Sequence, residues 1–179
     1  MFPHTLAPFV PPQFGIKLAT ERWERAASVE LRAAVFCREQ KLFGASDRDE
    51  IDAVAATIVA VDYVMGMTHR VVGTVRIHAA GSTWWGSRLA IEAQYRAVYG
   101  LGRGLIYRAV TTAHARGCDA FFAHVQVQNV NFFRRLNWEP LHAATVAGCP
   151  HMLMQADLAA YPPSPDEGAV AVVTGRRAS

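Results

Sequence analysis

The sequence lacks the features that mark several classes of protein. Its 3 cysteines in 179 residues are an odd number without metal-type spacing, so neither a disulfide framework nor a zinc site is indicated. Charged residues are only 18% of the chain and the net charge is +3. Because there is also no run of Lys or Arg, we expect no nucleic-acid partner. No apolar run approaches the roughly 18 residues that span a bilayer. We therefore expect a cytoplasmic protein that acts without a metal, a membrane or a nucleic acid.

The composition favours one folded domain. Hydrophobic residues make up 51% of the chain, which is well outside the range of disordered proteins. Residues 1–13 are a proline-rich lead without the basic start and apolar stretch of a secretory signal. Residues 14–158 are predicted to form the domain. Residues 159–179, rich in Pro, Gly, Ala and Arg, are predicted to form a poorly ordered tail.

Hydrophobic periodicity predicts helices packed on a sheet whose short connections favour antiparallel pairing. The first amphipathic pattern starts after Thr20, a predicted helix N-cap, and the second ends at Gly117, which suits a left-handed C-terminal residue. The segment 119–127 is almost continuously apolar, as expected for a strand buried on both faces. The predicted helices are 21–40, 100–116 and 129–136, and the predicted strands are 14–19, 56–64, 70–79, 87–91, 119–127, 143–146 and 151–156.

A glycine-rich turn within residues 94–106 opens the second long helix. Gly100, Gly102 and Gly104 allow a phosphate to approach the backbone closely, and the free N–H groups of a helix's first turn attract anions. The alternative is that these glycines serve only tight packing of the helix on the sheet. A Rossmann turn requires Gly-x-Gly-x-x-Gly directly after the first strand, and a Walker loop requires Gly-Lys-Ser/Thr. Neither pattern is present.

Three separated segments, taken in order, resemble the GNAT acyltransferase superfamily. Residues 89–96 resemble its fourth strand leading into a turn, residues 100–104 resemble its pyrophosphate-binding turn, and residues 129–138 resemble its next helix. The position three before Gly100 is an alanine and the arginine lies one residue earlier, which we interpret as a one-residue insertion. The resemblance covers residues 14–158.

The resemblance implies an α/β (α+β) fold with a mixed, mostly antiparallel central sheet of about seven strands and about four flanking helices. It also implies transfer of an acyl group to an amine, with acetyl-coenzyme A as co-substrate and no metal. A small-molecule amine or a protein amine is the expected acceptor, and a homodimer is one expected assembly. The residues implied to contact the cofactor are Ile91, Arg96, Gly100, Leu101, Gly102, Arg103, Gly104, Leu105, Asn129, Phe132 and Phe133.

Within the superfamily, the chain is similar to a bacterial subgroup associated with nitrogen starvation. Two residue patterns, however, suggest activities other than acyl transfer to an amine. A set of five residues also resembles acyl-homoserine-lactone synthases, which share the fold and bind S-adenosylmethionine but lack a well-formed glycine turn. A third alternative is a non-catalytic acyl-coenzyme A sensor, because Phe133 stands where the superfamily has a tyrosine that protonates the leaving thiolate. The five residues of the synthase-like set are Arg32, Phe36, Asp49, Asp52 and Arg76.

Amine acetylation needs a base, since an alkyl amine has a pKa near 10. We predict Glu92, at the end of the strand that the resemblance places beside the thioester, as that base, with His124 in the buried fifth strand as the alternative. His78 is a weaker candidate. Because Phe133 cannot donate a proton, the leaving thiolate takes one from water or from a tyrosine. The tyrosines considered are Tyr99 and Tyr107; Cys37 is interpreted as a packing residue rather than a nucleophile.

An acidic segment precedes the second strand and holds Asp47, Asp49, Glu50 and Asp52. These carboxylates are predicted either to attract a cationic amine or to form a solvated loop. Arg76 lies in the middle of a strand of Val and Ile and therefore needs a partner, for which Asp49 and Asp52 are the candidates. The predicted substrate-binding residues are Arg32, Asp49, Asp52 and Arg76.

Overall fold

The computed structural model describes residues 13–64, 66–164 and 171–174. They form an eight-stranded sheet with the order β6-β7-β5-β4-β3-β2-β1-β8. Every neighbouring pair is antiparallel except β4 and β5, which run parallel. The strands are β1 (Gln13–Leu18), β2 (Ala56–Val64), β3 (Met67–Ala80), β4 (Thr83–Ile91), β5 (Ala120–Gln126), β6 (Trp138–Val146), β7 (Cys149–Ala156) and β8 (Ala171–Thr174).

Three α-helices flank the sheet. They are α1 (Arg22–Arg32), α2 (Leu101–Ala115) and α3 (Val130–Arg134). The N-cap of α1 is Glu21 rather than the predicted Thr20, because the Glu24 carboxylate accepts hydrogen bonds at 3.0 Å from the amides of both residues. The predicted first helix also changes character, since a π-helical segment (Ala33–Glu39) continues α1. Such wide turns are often found at functional sites.

The helices cover opposite faces of the sheet because side chains of β2 alternate. Ile58 and Ala60 belong to a buried cluster that includes the α2 residues Leu105 and Ala109. Val59 and its neighbours on the same face pack with residues of α1 and the π-helical segment. The alternation of period two thus builds two cores, one on each side of the sheet. The prediction of a mixed, mostly antiparallel sheet with flanking helices is confirmed.

The parallel pair β4 and β5 is joined over only part of its length. Backbone pairing runs from Thr83 opposite Ala120 to Gly86 opposite Ala123, and then stops. Beyond that point β4 continues to Ile91 without a neighbour on this side. The two strands therefore separate and leave a wedge-shaped opening within the sheet.

A β-bulge in the pairing of β3 with β4 lies close to the point where β4 separates from β5. The β3–β4 register passes from Thr74 opposite Ala90 to Arg76 opposite Ser87, so β4 carries an extra residue there. Arg88 has φ of 56°, a left-handed conformation that is costly for a non-glycine residue. The bulge bends β4 at this point and turns its side chains toward the segment 47–52.

Part of the predicted tail, residues 159–164 and 171–174, is described, and residues 165–170 and 175–179 lie outside the described residues. Residues 171–174 form β8, whose pairing with β1 adds the eighth strand. Tyr161 is buried, and its hydroxyl accepts a hydrogen bond of 3.1 Å from Trp138 Nε1. Composition alone pointed to disorder, but β1 offers an open edge that a short apolar strand can cover. Within the described residues, no helix is long and apolar enough to cross a membrane.

Candidate active site

A cavity of about 480 Å³ opens where β4 and β5 separate. Its walls come from β3, β4, β5 and β7, from the π-helical segment and from the loop that precedes β2. Aromatic rings form one side. The ring centroids of Trp85 and His124 lie 5.6 Å apart there, and the two rings are stacked at 19°. Phe36 and Phe43, 6.5 Å apart, line it from the other direction.

Three imidazoles line this cavity: His78, His124 and His151. His124 directly follows Ala123, the last residue of β5 that pairs with β4, so it lies where β4 and β5 separate. Burial, together with the nearby His151 and His142, lowers the pKa of His124 below its ordinary value. The His124 imidazole is therefore neutral at pH 7 and able to accept a proton.

The other two imidazoles are less accessible than His124. Burial and the adjacent Arg76 lower the pKa of His78, and its Nδ1 atom is buried without a hydrogen-bond partner among the described residues. His151 is 6% exposed, and its Nδ1 lies 2.9 Å from the carbonyl oxygen of Cys149. His124 is thus the most exposed of the three imidazoles that line the cavity among the described residues.

Glu92 lies at the predicted end of β4 but is not part of the cavity wall. Its carboxylate forms an ion pair with Arg70 and accepts a hydrogen bond of 2.8 Å from Gln94 Nε2. The His124 side chain therefore lines the cavity, whereas the paired Glu92 side chain does not, and which of the two acts as the base stays a prediction.

Three arginines and three aspartates form a compact network beside the bulge. Arg32 donates to Asp47 at 2.7 Å and to both oxygens of Asp52 at 2.6 and 3.1 Å. Arg76 donates to both oxygens of Asp49, at 2.5 and 3.0 Å. It also lies 3.0 Å from Asp52 Oδ1, and its Nε donates to Ser87 Oγ at 3.0 Å. Arg88 completes the network by donating to Asp47 and Asp49.

This network confirms both predicted partners of Arg76. Burial alone would raise the pKa of Asp52, but hydrogen bonds from Arg32 and from the Asp49 amide hold it well below its usual range. The hydrogen bond from Arg76 likewise lowers the pKa of Asp49. Because these carboxylates are already paired with arginines, the expectation that they attract a cationic amine is not supported. Glu50, which was expected to act with them, begins a short 3₁₀ turn (Glu50–Ala53).

Removing Arg76 should destabilise the protein. Arg76 is 2% exposed, and loss of one partner from a buried ion pair costs about 3–5 kcal/mol. We expect Arg76→Met to lower the free energy of unfolding by about 3 kcal/mol in urea titrations. Arg38→Met is the matched control, since its pair with Glu30 has side chains 60% and 73% exposed and should contribute under about 1 kcal/mol. Equal losses in the two variants would contradict a structural role for the network.

The three glycines of the turn before α2 have different roles. Gly100 is the N-cap with φ of 86°, a conformation that favours glycine. A Cβ atom on Gly104 would lie 2.3 Å from Ile16 Cδ1, so this glycine allows the helix to approach the sheet. A Cβ atom on Gly102 would lie 3.4 Å from Ile91 and 3.6 Å from Phe132. Close packing of the helix on the sheet, one of the two roles predicted for these glycines, thus explains Gly104. Gly102 instead lies between β4 and α3.

The first turn of α2 offers unpaired donors. The amides of Gly102 and Arg103 have no hydrogen-bond acceptor among the described residues. The Arg103 side chain is exposed. The side chains of Leu101 and Leu105 are 1% and 0% exposed, so they are not available to a ligand, and the Leu101 amide donates to the Val98 carbonyl at 3.4 Å. Free amides at the positive end of a helix dipole, with an arginine beside them, suit a phosphate.

Residues Glu39 and Gln40 connect the two separated strands. Arg96 donates to both oxygens of Glu39, at 2.5 and 2.7 Å, and through Nε to the Ile91 carbonyl at 2.9 Å. Gln126 donates to Gln40 Oε1 at 2.9 Å. The ends of β4 and β5 are therefore linked through the end of the π-helical segment. In this arrangement protein groups occupy all three Arg96 nitrogens, and its contact with a pyrophosphate stays a prediction.

Asn129 and Phe133 both line the cavity. Asn129 occupies the N-cap position of α3, but its side chain makes no capping hydrogen bond, in contrast to the predicted cap. Phe133 is 7% exposed and packs edge-on against Trp138 at 5.1 Å. Tyr99 and Tyr107 are 73% and 44% exposed. The cavity-lining residues include neither tyrosine, nor the half-buried Cys37.

Asn129→Ala should test whether that side chain serves a ligand. Because the amide caps nothing, we expect the melting temperature to change little, whereas loss of a true N-cap costs on the order of 1 kcal/mol. The Michaelis constant for acetyl-coenzyme A should rise by about tenfold, the loss of one or two hydrogen bonds. Steady-state kinetics and thermal melting measure the two effects. A lower melting temperature with unchanged kinetics would assign Asn129 a structural role only.

Several residues of the cavity did not emerge from the sequence. His151 shares a face with His124 because it pairs opposite Gln126 across β5 and β7, and period-two alternation could have suggested this. Arg88, Phe43 and Trp85 carried no such signal, since their convergence depends on the bulge and on the path of the loop before β2.

Comparison with known proteins yields one family and several relatives. The model described as the Acetyltransferase (GNAT) family matches residues 19–138. The Bacillus subtilis protein YyaT is 26% identical over 144 residues, which are 80% of this chain and 95% of YyaT. Escherichia coli ElaA superposes with a TM-score of 0.66 at 19% identity, over 80% of this chain and 98% of ElaA. An acyl-CoA N-acyltransferase from Pseudomonas aeruginosa superposes with a TM-score of 0.64 at 21% identity, over 80% of this chain and 98% of that one. At these identities the two structures are evidence of a common fold.

Proposed function

The chain belongs to the GNAT acetyltransferase family, and from this premise we propose that it transfers the acetyl group of acetyl-coenzyme A to a primary amine by direct attack in a ternary complex. One observation carries the proposal. The opening between β4 and β5 meets the aromatic cavity on one side and lies near the free amides of α2 on the other. This arrangement has room for a thioester arm between an anion-binding turn and an acceptor pocket.

The residues around the opening fit acetyl-coenzyme A. The amides of Gly102 and Arg103 and the exposed Arg103 side chain would hold the pyrophosphate. The unpaired edge of β4 offers backbone groups to the amides of the arm. Ile91, Phe132 and Asn129 would flank it. When bound, acetyl-coenzyme A supplies the activated acyl carbon that an amine attacks.

The chain's own contribution to the chemistry is a proton acceptor. A neutral amine is the nucleophile, so the proton of a bound ammonium must be removed before attack. We propose that His124 Nδ1 or Nε2 accepts this proton, directly or through one water, because His124 borders the opening and is neutral at pH 7. The stacked Trp85 holds the orientation of the ring.

The leaving thiolate has no tyrosine to protonate it in this proposal. Phe133 has no hydroxyl group, and neither Tyr99 nor Tyr107 lines the cavity. A thiol is a fair leaving group near neutral pH, with a pKa around 8.5. Water therefore suffices as the proton donor, and turnover does not require a general acid from the protein.

The experiment that tests the function is a search for product. Purified protein is incubated with acetyl-coenzyme A and a panel of small amines and lysine peptides, thiol release is followed with a chromogenic reagent, and N-acetyl products are identified by mass spectrometry. Tight binding of coenzyme A without product would instead support the sensor function. Release of methylthioadenosine from S-adenosylmethionine would support lactone synthesis. The narrower resemblance to the nitrogen-starvation subgroup stays a prediction, as does a cytoplasmic location.

A further inference from the structure

Arg88 is an unusual residue at the point where the strands separate. It is a non-glycine residue with φ of 56°, and such backbone strain persists mainly where surrounding structure enforces it, often at ligand sites. Its guanidinium lies 4.4 Å from the centroid of the Phe43 ring, a cation–π distance. The side chain is 14% exposed and lines the cavity.

The guanidinium of Arg88 retains an unused donor. Nε donates to Asp47 at 3.0 Å, and Nη2 donates to Asp49 at 3.1 Å and to the Asp47 carbonyl at 2.9 Å. Nη1 has no acceptor among the described residues. In contrast, Nε and both Nη atoms of Arg32 and of Arg76 donate to protein groups.

No carboxylate of the described cavity wall is available to a cation. Asp49 is the only acidic residue among the cavity-lining residues described. Its Oδ1 accepts from Arg76 and from the Ile51 amide, and its Oδ2 accepts from Arg76 and Arg88. Besides the arginines and Asp49, the polar side chains of the described wall are amides, a serine hydroxyl and imidazoles, and none of them carries a negative charge. A second positive charge on the acceptor would find no partner there.

Much of the rest of the wall is aromatic or aliphatic, although the polar side chains of Gln40, Ser87, Gln126 and Asn129 also line it. Phe36 is buried, and Phe43, Trp85 and Ile51 are half-buried, and all of them line the cavity. Such rings favour an apolar body on the acceptor. The described cavity thus combines aromatic and aliphatic surface with a guanidinium nitrogen, Arg88 Nη1, that has no acceptor among the described residues.

Given the proposed transfer reaction, on which this inference rests, we propose that the acceptor is a small primary amine with an aromatic or apolar body and a carboxylate group. Arg88 Nη1 donates to that carboxylate and so determines specificity. Polyamines and lysine-rich peptides, which carry further positive charge, are poor acceptors.

Matched amines that differ by one carboxylate test the proposal. Phenylalanine is compared with phenethylamine, para-aminomethylbenzoate with benzylamine, and spermidine serves as the polycation. We expect kcat/KM to be at least about tenfold higher for one of the acids than for its carboxylate-free partner, the effect of a hydrogen bond to a charged group. Spermidine should be the poorest acceptor. In Arg88→Gln the ratio within the preferred pair should fall to about one.

The outcomes separate this proposal from the function on which it rests. If no amine is acetylated, both proposals fail. If amines are acetylated but spermidine or the carboxylate-free partners are preferred, or if Arg88→Gln keeps the ratio, only the present one is overturned. Because Arg88 also holds Asp47, the variant can misfold. In that case the wild-type protein is tested with hydrocinnamate, a carboxylate without an amine. We expect hydrocinnamate to inhibit competitively with the amine, and a lack of inhibition would overturn the proposal.

Discussion

His124→Ala should lower the turnover number by about 100- to 10,000-fold, the usual contribution of general base catalysis. The affinity for coenzyme A should stay within about threefold of wild type, because the amides proposed to bind its pyrophosphate belong to Gly102 and Arg103, which do not line the cavity that holds His124. Stopped-flow or steady-state assays give kcat, and calorimetry gives the affinity. His124→Gln is the companion variant, since it keeps a similar volume beside Trp85 while losing the basic nitrogen.

Glu92→Gln is the matched control for this experiment. Glu92 pairs with Arg70 and does not line the cavity, so we expect turnover to change by less than about fivefold, since an exposed ion pair contributes about 0–1 kcal/mol. If Glu92→Gln abolished turnover and His124→Ala did not, the base would be Glu92, as the position at the end of β4 first suggested.

If His124 is the base, the pH–rate profile of the wild-type protein should have an acidic limb that reflects the protonation of His124. The base acts in its neutral form, so the rate falls as the pH drops through the pKa of His124. Burial and neighbouring imidazoles lower that pKa, which places the midpoint of the acidic limb below the ordinary histidine value of about 6.5. In His124→Ala this limb should be lost. A limb that survives unchanged in the variant would rule out His124 as its source.

Gly102→Val should weaken binding of acetyl-coenzyme A by about 100-fold, the equivalent of one or two hydrogen bonds to a charged group. The Cβ atom itself would meet Ile91 and Phe132 at ordinary contact distances, so the fold should tolerate it. The γ-carbons, however, would extend over the amides that the pyrophosphate needs. Calorimetric titration with coenzyme A measures the loss, and a folded variant with unchanged affinity would contradict the assignment.

Two further glycines make this prediction specific. Gly44→Val is the matched surface control, because nothing lies within 4 Å of an added Cβ atom, and its affinity should equal that of wild type. Gly104→Ala should show the opposite behaviour to Gly102→Val. Its Cβ atom would overlap Ile16, so it should lower the melting temperature first and coenzyme A affinity only through the displaced helix.

The sequence allowed most of the fold to be predicted. Strand 56–64 matches β2, and helix 100–116 matches α2 within about one residue at each end. Their patterns are local, because alternation and 3.6-residue spacing directly reflect which face is buried. The strand predicted at 143–146 was shorter than β6, which begins at Trp138. Its burial alternates irregularly around a bulge between Pro140 and His142, so no regular period marked its start.

The candidate site was predicted only in part. The amino-acid sequence by itself determined the glycine turn that opens α2 and the need of Arg76 for an acidic partner, since each follows from backbone freedom or from the cost of burying a charge. Tertiary structure decided that the His124 side chain lines the cavity, because pairing between β4 and β5 ends at Gly86 and Ala123, directly before His124. It also decided that Arg88 Nη1 has no acceptor within the described part of the chain, because the neighbours of Arg88 come from a loop about 40 residues away in the chain. Such convergence depends on the bulge and on strand separation, which arise from packing between distant segments and leave no local pattern of spacing.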